Sequence, residues 1–191
     1  MIYLASRSPR RRELLSQLGV RFEVLDLEVD ESIRAGESAD GLVQRLATAK
    51  AAAGRALLAD SDDHLVLGAD TIVVLDDQIL GKPRDAGHAC ELLARLSGRC
   101  HRVLSAVALA SDGDTAIRLC ESRVCFRQLS HREIEAYAAT GEPLDKAGAY
   151  AIQGRAAAFV SDLRGSYSGV VGLPLYETGE LLAARGLALF P

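Results

Sequence analysis

Consecutive arginines near the start of the chain are the first sign of a site that could do chemistry. The segment Ser6-Arg7-Ser8-Pro9-Arg10-Arg11 places a helix-capping serine and a proline suited to the first helical turn directly before them. A cation in that turn meets the positive end of the helix dipole and costs roughly 0.3–1 kcal/mol. That cost is offset if backbone N–H groups and guanidinium groups converge on phosphate oxygens, so Ser8, Arg10 and Arg11 are candidate anion ligands. The alternative is a solvated basic helix start.

A single carboxylate interrupts the most apolar run of the sequence. Asp70 lies within Leu65–Leu75, whose composition predicts a strand buried on both faces. A buried carboxylate is costly unless it is paired or faces a cleft, and ligands of α/β sheets bind near strand ends. Asp70 is therefore a candidate metal ligand or general base. The alternative is an aspartate that is hydrogen-bonded at a bulge.

Two lysines and one glycine-containing segment are less specific candidates. Lys50 lies on an otherwise apolar stretch, and Lys82 stands between Gly81 and Pro83. Each could neutralise a phosphate, or could be a surface lysine whose stem covers apolar atoms. Residues 141–154 combine charges with glycines, which suits a ligand-binding loop or an ordinary surface loop.

The charge balance favours a small anionic ligand over a polyanion. The chain has 22 Lys and Arg against 26 Asp and Glu, a formal net charge of −4, which argues against binding duplex nucleic acid or an anionic membrane. No apolar run is long enough to cross a bilayer, and no signal peptide is visible. We therefore expect a cytoplasmic protein with a small-molecule partner and no nucleic-acid or membrane partner.

The cysteines and histidines do not form a recognisable metal site. The four cysteines, Cys90, Cys100, Cys120 and Cys125, contain no C-x-x-C pair, and the four histidines lack a ligand spacing. We expect the cysteines to be reduced core thiols of a cytosolic protein. P-loop, dinucleotide-binding and nucleophile-elbow motifs are also absent from the sequence.

The order of elements predicts a mixed α/β fold. Strands and helices alternate, and a hairpin signal at residues 111–114 joins two strands in the middle of the chain. We expect one domain over residues 1–191, with flanking helices on a mixed twisted sheet. The predicted strands are Ile2–Ala5, Phe22–Leu25, Leu65–Leu75, Gln78–Leu80, Arg102–Ala110, Thr115–Phe126 and Ala157–Val160. The predicted helices are Pro9–Leu18, one from a cap at Ser38 or Asp40 to Leu58, Ala86–Leu96, one from a capping box at Ser130 to Thr140, and a last one between Pro174 and Gly186; residues 60–63 are predicted to form an acidic turn.

Several motifs in a fixed order resemble those of the Maf family of nucleotide pyrophosphatases. They are Leu4-Ala5-Ser6-Arg7-Ser8-Pro9-Arg10-Arg11, Lys50, Leu67-Gly68-Ala69-Asp70-Thr71, Gly81-Lys82-Pro83, Leu96-Ser97-Gly98, His101-Arg102-Val103, Gly141-Glu142-Pro143-Leu144-Asp145-Lys146-Ala147-Gly148 and Val171-Gly172-Leu173-Pro174. They span nearly the whole chain. Arg7 replaces a usually small residue and Cys100 a hydroxyl residue, and neither departure touches a charged functional position.

The resemblance implies a fold, a reaction and a set of site residues. It implies two lobes around a deep cleft, similar to inosine-triphosphate pyrophosphatases, dependence on a divalent cation (Mg²⁺ or Mn²⁺), and a homodimer. Asp70 would be the general base and Glu31 an acidic residue that helps with metal or water, so both are candidate metal ligands. The implied catalytic residues are Asp70, Glu31 and Lys82, and the implied substrate ligands are Ser8, Arg10, Arg11, Lys50, Thr71 and Gln153.

The segment from Asp145 to Gly154 is similar to the family branch that hydrolyses dTTP and UTP. In that branch the positions of Arg10, Thr71 and Gln153 are linked with specificity. A glutamine amide can donate to a pyrimidine carbonyl and accept from N3–H, and modified pyrimidine nucleotides such as 5-methyl-UTP are further candidates. The alternatives are the 7-methyl-GTP branch, a phosphatase that releases orthophosphate, and a non-hydrolytic nucleotide-binding regulator of cell division.

Overall fold

The computed structural model describes residues 1–58 and 64–189, so the acidic turn predicted at residues 60–63 lies outside the described residues. In chain order the elements are β1 (Ile2–Ala5), α1 (Pro9–Gln17), β2 (Phe22–Leu25), α2 (Ala39–Ala56), β3 (Leu65–Leu75), β4 (Gln78–Leu80), α3 (Ala86–Leu96), β5 (Cys100–Ser111), β6 (Asp114–Phe126), α4 (His131–Ala138), β7 (Val160–Arg164), α5 (Tyr167–Val171) and α6 (Leu175–Ala183). Short 3₁₀ helices cover Ala147–Ala149 and Arg155–Phe159. Within the described ranges, no helix is long and apolar enough to cross a membrane.

The strands form one mixed sheet. Its order is β2-β1-β3-β5-β6-β7, with β4 paired to the end of β3. Strand β1 is parallel to β2 and β3, whereas the β3–β4, β3–β5, β5–β6 and β6–β7 pairs are antiparallel. The predicted mixed α/β fold with flanking helices is confirmed.

The central strand β3 is paired on both edges except over a short stretch. Strand β1 ends where Ala5 meets Gly68, and β4 reaches β3 only from Val73 onward. Residues 69–72 therefore pair with β5 but, among the described residues, with no strand on their other edge. We call this stretch the open edge of β3. It places Asp70 inside a strand that is interrupted on one side, rather than at a strand end as sequence reasoning had allowed.

Three apolar clusters surround the sheet, and β3 contributes to each. Alternate strand side chains point to opposite faces, so Val66 packs against α2 while Leu67 packs against α1 and α6. Farther along, Val73 joins the cluster formed with α3 and α4. Burial of each large aliphatic side chain stabilises the fold by roughly 1.5–3 kcal/mol. Both ends of β3 are thereby fixed in the core on each side of the open edge.

Helix α2 lies unusually close to β3 because of Gly68. A Cβ atom at Gly68 would stand 2.3 Å from the carbonyl oxygen of Ala47 and 2.4 Å from the amide nitrogen of Ala51, which a side chain cannot tolerate. The helix begins where predicted, since the hydroxyl of Ser38 accepts a hydrogen bond from the Gly41 amide. The close approach at Gly68 sets the distance between α2 and the sheet at Lys50.

The strand predicted at Ala157–Val160 is misplaced. Residues Arg155–Phe159 form a 3₁₀ helix, and the strand is β7, Val160–Arg164. Ala156 and Phe159 are both buried in the cluster with α3 and α4, and their three-residue spacing suits a 3₁₀ turn. Tertiary packing therefore overrides the local preference for a strand.

The prediction that all four cysteines are reduced is wrong for two of them. Cys100 and Cys125 form a disulfide between β5 and β6, while Cys90 and Cys120 are free. The two residues are 25 positions apart, but the strand register sets them directly opposite each other with 3.9 Å between their Cα atoms. The register of the hairpin brings the two cysteines together, and their spacing in the sequence does not reveal that register.

Candidate active site

One cavity of about 740 Å³ is lined by all nine site residues that were predicted from the sequence. Its walls come from the end of β1, the start of α1, the loop before α2, the open edge of β3, the turn after β4, and residues 145–153 and 170–172. The predicted site residues that line it are Ser8, Arg10, Arg11, Glu31, Lys50, Asp70, Thr71, Lys82 and Gln153. A volume of this size suits a small-molecule ligand.

At the open edge of β3, one ammonium group joins two carboxylates. Nζ of Lys50 lies 2.7 Å from Oδ1 of Asp70 and 2.5 Å from Oε1 of Glu31. The side chains of Lys50 and Asp70 are each 11% exposed, against 52% for Glu31. The buried carboxylate of Asp70 is thus paired, as its burial requires. Lys50 was expected along a triphosphate, and here it holds the two acids together.

The charges of the cavity keep Glu31 ionised. Burial raises the pKa of Glu31, but the hydrogen bond and charge of Lys50, with the charges of Lys82 and Arg11, outweigh burial and leave that pKa below its usual value. Lys82 itself is exposed in the turn after β4 and lines the same cavity. The acids and cations therefore act on one another within a shared electrostatic environment.

Arg11 is fixed by backbone on the opposite face of β3. Its Nε donates to the carbonyl oxygen of Gly172 at 2.8 Å, and its Nη1 reaches Oγ of Ser6 at 3.5 Å. Burial lowers the pKa of Arg11, partly offset by Asp70 and Glu31, and an arginine side chain stays charged in spite of such a shift. A half-buried guanidinium group held in this way is a preorganised anion ligand.

Thr71 pairs with the buried hydroxyl of Ser105, a residue that was not predicted from the sequence. Its Oγ1 lies 2.9 Å from Oγ of Ser105, which donates to the carbonyl oxygen of Gly169 at 2.6 Å. Ser105 has only one hydroxyl hydrogen, so Thr71 is the donor between the two hydroxyls. Ser105 lies on an apolar strand directly opposite Thr71. A polar residue in such a strand is a signal that could have drawn attention to Ser105, but its partner depends on the register of β3 and β5.

Arg10 points across the cavity to the segment 141–154, whose composition suits either a ligand-binding loop or an ordinary surface loop. Nη1 of Arg10 donates to Oδ2 of Asp145 at 3.0 Å, and Nζ of Lys146 contacts Oδ1 of the same carboxylate at 2.5 Å. Burial raises the pKa of Asp145, but Lys146 and Arg10 outweigh it and lower that pKa to about 2. The segment is therefore part of the cavity wall.

At the start of α1, the side chain of Ser8 makes no capping hydrogen bond to the described residues.

Gln153 lies on an apolar part of the wall. Its side chain is exposed, and the neighbouring Tyr150 and Ile152 are buried while lining the cavity. Val103 and Val170, from β5 and α5, line it too. A flat heterocycle could contact these apolar side chains while its polar edge meets the Gln153 amide.

The acidic residues fit a divalent cation only together with a ligand. Within the part of the chain that is described, no three His, Cys, Asp or Glu side chains are grouped as a metal site. Two carboxylates, Asp70 and Glu31, converge on the Lys50 ammonium group. Mg²⁺ is commonly held by one or two carboxylates plus substrate phosphates, so the pair suits an ion that is shared with a polyphosphate.

Comparisons with known proteins agree with the chemistry that the site suggests. The sequence profile described as Maf-like protein matches residues 1–185. The dTTP/UTP pyrophosphatase of Aromatoleum aromaticum is 54% identical, over 98% of this chain and 97% of its own length. Those of Alkalilimnicola ehrlichii and Salmonella typhimurium are each 57% identical, over 95% of this chain and 91% of theirs.

Among solved structures, the Staphylococcus aureus Ham1 protein matches with a TM-score of 0.45 and 14% identity, over 65% of this chain and 71% of that one.

Proposed function

The chain belongs to the Maf-like family, and from that premise we propose that it hydrolyses dTTP and UTP to the nucleoside monophosphate and pyrophosphate. One observation carries the proposal: the paired Asp70, Lys50 and Glu31 share a single cavity with the cations Arg10, Arg11 and Lys82. A site for anion binding alone gains nothing from two carboxylates. A hydrolase needs both the cations and a base.

In the proposed reaction, Asp70 is the general base. Its Oδ1 is occupied by Lys50, which leaves Oδ2 to accept a proton from water. The water oxygen then forms a bond to the α-phosphorus as the bond from that phosphorus to the bridging oxygen breaks. A positioned base of this kind contributes about 10²–10⁴-fold to the rate.

The cations bind the polyphosphate and stabilise the leaving group. Arg11, held by the Gly172 carbonyl, needs no reorganisation to meet phosphate oxygens, whereas Arg10 would exchange its exposed partner Asp145 for a phosphate. Lys82 adds a third charge from the turn after β4. As pyrophosphate leaves, these groups absorb the developing negative charge, which is the main contribution of protein residues to phosphoryl transfer.

We also propose a divalent cation, Mg²⁺ or Mn²⁺, as the cofactor. Asp70 and Glu31 would hold it together with phosphate oxygens, and the ion would supply charge neutralisation and a more acidic water. Loss of turnover in excess EDTA, restored by added Mg²⁺ or Mn²⁺, tests this cofactor.

A substrate panel with product identification tests the function. We expect the purified chain, with Mg²⁺, to release pyrophosphate from dTTP and UTP faster than from 7-methyl-GTP. A preference for 7-methyl-GTP would place the chain in the other branch of the family. Release of orthophosphate would indicate a phosphatase, and binding of dTTP without turnover would indicate a regulator. The homodimer implied by the resemblance and the cytoplasmic location expected from the sequence stay predictions, to be tested by sedimentation and by cell fractionation.

A further inference from the structure

A buried tyrosine and a glutamate hold the segment that carries Gln153. Tyr137 of α4 is 4% exposed, and burial raises the pKa of its hydroxyl, so the group keeps its proton. That hydroxyl donates to Oε1 of Glu142 at 2.8 Å and accepts a hydrogen bond from the Ala151 amide at 3.1 Å. One end of the Gln153 segment is thereby fixed to α4.

The other end of the segment is fixed by the same carboxylate. The Arg155 amide donates to Oε1 of Glu142 at 3.1 Å, with Oε2 at 3.4 Å. Between these points, a Cβ atom at Gly154 would stand 2.3 Å from Oε1 of Glu142, so the backbone lies directly against the carboxylate. Gln153 therefore lies between two fixed backbone amides, those of Ala151 and Arg155. Both amides are held by the same pair of side chains, Tyr137 and Glu142.

Neither anchoring side chain is part of the cavity wall. Tyr137 and Glu142 are both absent from its lining among the described residues, whereas Gln153, Ile152 and Tyr150 line it. Any effect of Tyr137 or Glu142 on a bound nucleotide must therefore pass through the segment they hold.

We propose that Tyr137 and Glu142 are positioning residues that fix the amide of Gln153 for recognition of the pyrimidine edge, and so set the preference for uracil and thymine over cytosine. The inference rests on the proposed function. Uracil and thymine present N3–H and a 4-carbonyl group, where cytosine presents an unprotonated N3 and an amino group. A glutamine amide in a fixed place distinguishes the two patterns, and a displacement of about 1 Å is enough to weaken that contact.

Tyr137→Phe tests the proposal, because it removes both hydrogen bonds and leaves the ring in the core. We expect KM for UTP to rise about fivefold, as for loss of a hydrogen bond of about 1 kcal/mol, with kcat nearly unchanged. The ratio of kcat/KM for UTP to that for CTP should fall by a similar factor. Tyr176→Phe is the matched control, because its hydroxyl bonds Glu180 on the exposed surface of α6. A Tyr137→Phe enzyme with the wild-type ratio would overturn the inference.

A double-mutant cycle separates positioning from a general loss of stability. If Tyr137 acts through Gln153, then Tyr137→Phe should change the UTP-to-CTP ratio no further in a Gln153→Ala background; additive effects would contradict this. Glu142→Gln, which retains an acceptor oxygen, should keep most of the UTP-to-CTP preference. Glu142→Ala should lose it. A wild-type enzyme that hydrolyses UTP and CTP equally would overturn the inference alone, whereas one that hydrolyses neither UTP nor dTTP would overturn the proposed function.

Discussion

Asp70 and Thr71 are adjacent in the sequence, yet they serve opposite faces of the sheet. Asp70 contacts Lys50 of α2, and Thr71 contacts Ser105 and lies near the Gly172 carbonyl on the other face. Because successive strand residues alternate in direction, one strand can supply an acid to one wall of the cavity and a hydroxyl to another.

Asp70→Asn should strongly reduce catalysis without unfolding the chain. The amide cannot accept a proton at neutral pH, so we expect kcat to fall about 10²–10⁴-fold, while Lys50 keeps Glu31 as a partner. Pyrophosphate release and the thermal midpoint measure the two effects. Asp76→Asn, in the surface turn beside Arg99, is the matched control. Near-normal turnover in Asp70→Asn would reject the role of base.

Glu31 should titrate at higher pH once Lys50 is removed. Its lowered pKa means that the stabilising contact is present above the unfolded-state pKa and is lost as pH falls through the lower folded-state pKa. Lys50→Met removes the largest influence that lowers the pKa of Glu31. Burial then raises that pKa. Carboxyl ¹³C NMR measures the shift, with Lys146→Met as control. An unchanged Glu31 midpoint in Lys50→Met would mean that the two side chains do not pair in solution.

At the scale of elements, Gly68→Ala should damage the site without replacing a site residue. The added methyl group would meet the backbone of α2 at Ala47 and Ala51, so the helix must move outward and carry Lys50 away from Asp70. We expect a loss of about 1–3 kcal/mol in the free energy of unfolding and a reduced kcat. Gly87→Ala, whose Cβ would meet only the Asp85 side chain at 3.3 Å, should leave both nearly unchanged. Full activity in Gly68→Ala would show that α2 need not be so close.

The disulfide between β5 and β6 should add stability but no activity. Closing a loop of this length contributes about 3.5 kcal/mol in the chain-entropy account, and Cys100 and Cys125 do not line the cavity. Reduction with dithiothreitol should therefore lower the urea midpoint and leave kcat unchanged, and a Cys100→Ser variant should not respond to dithiothreitol. Four alkylatable thiols in the untreated protein would show instead that all the cysteines are reduced, as the sequence suggested.

Over the whole molecule, the sequence indicated residues that line one cavity but not how their side chains pair. Periodicity and capping residues were enough for most elements, because short-range chemistry fixes them. The contact of Arg10 with Asp145 joins residues 135 positions apart, and that of Lys50 with Asp70 depends on how closely a helix approaches a strand. Such distances arise only when the chain is assembled, so the sequence alone could not have revealed that Lys50 joins the two acids.

The open edge of β3 has a consequence for solvent. Backbone amides alternate between the two edges of a strand, so about half of those at residues 69–72 face the open edge, where no described strand pairs with them. Deuterium can therefore enter the sheet at its centre, where most proteins exchange slowest. A nucleotide seated there should slow that exchange, while the flanking stretches of β3 stay slow with or without it.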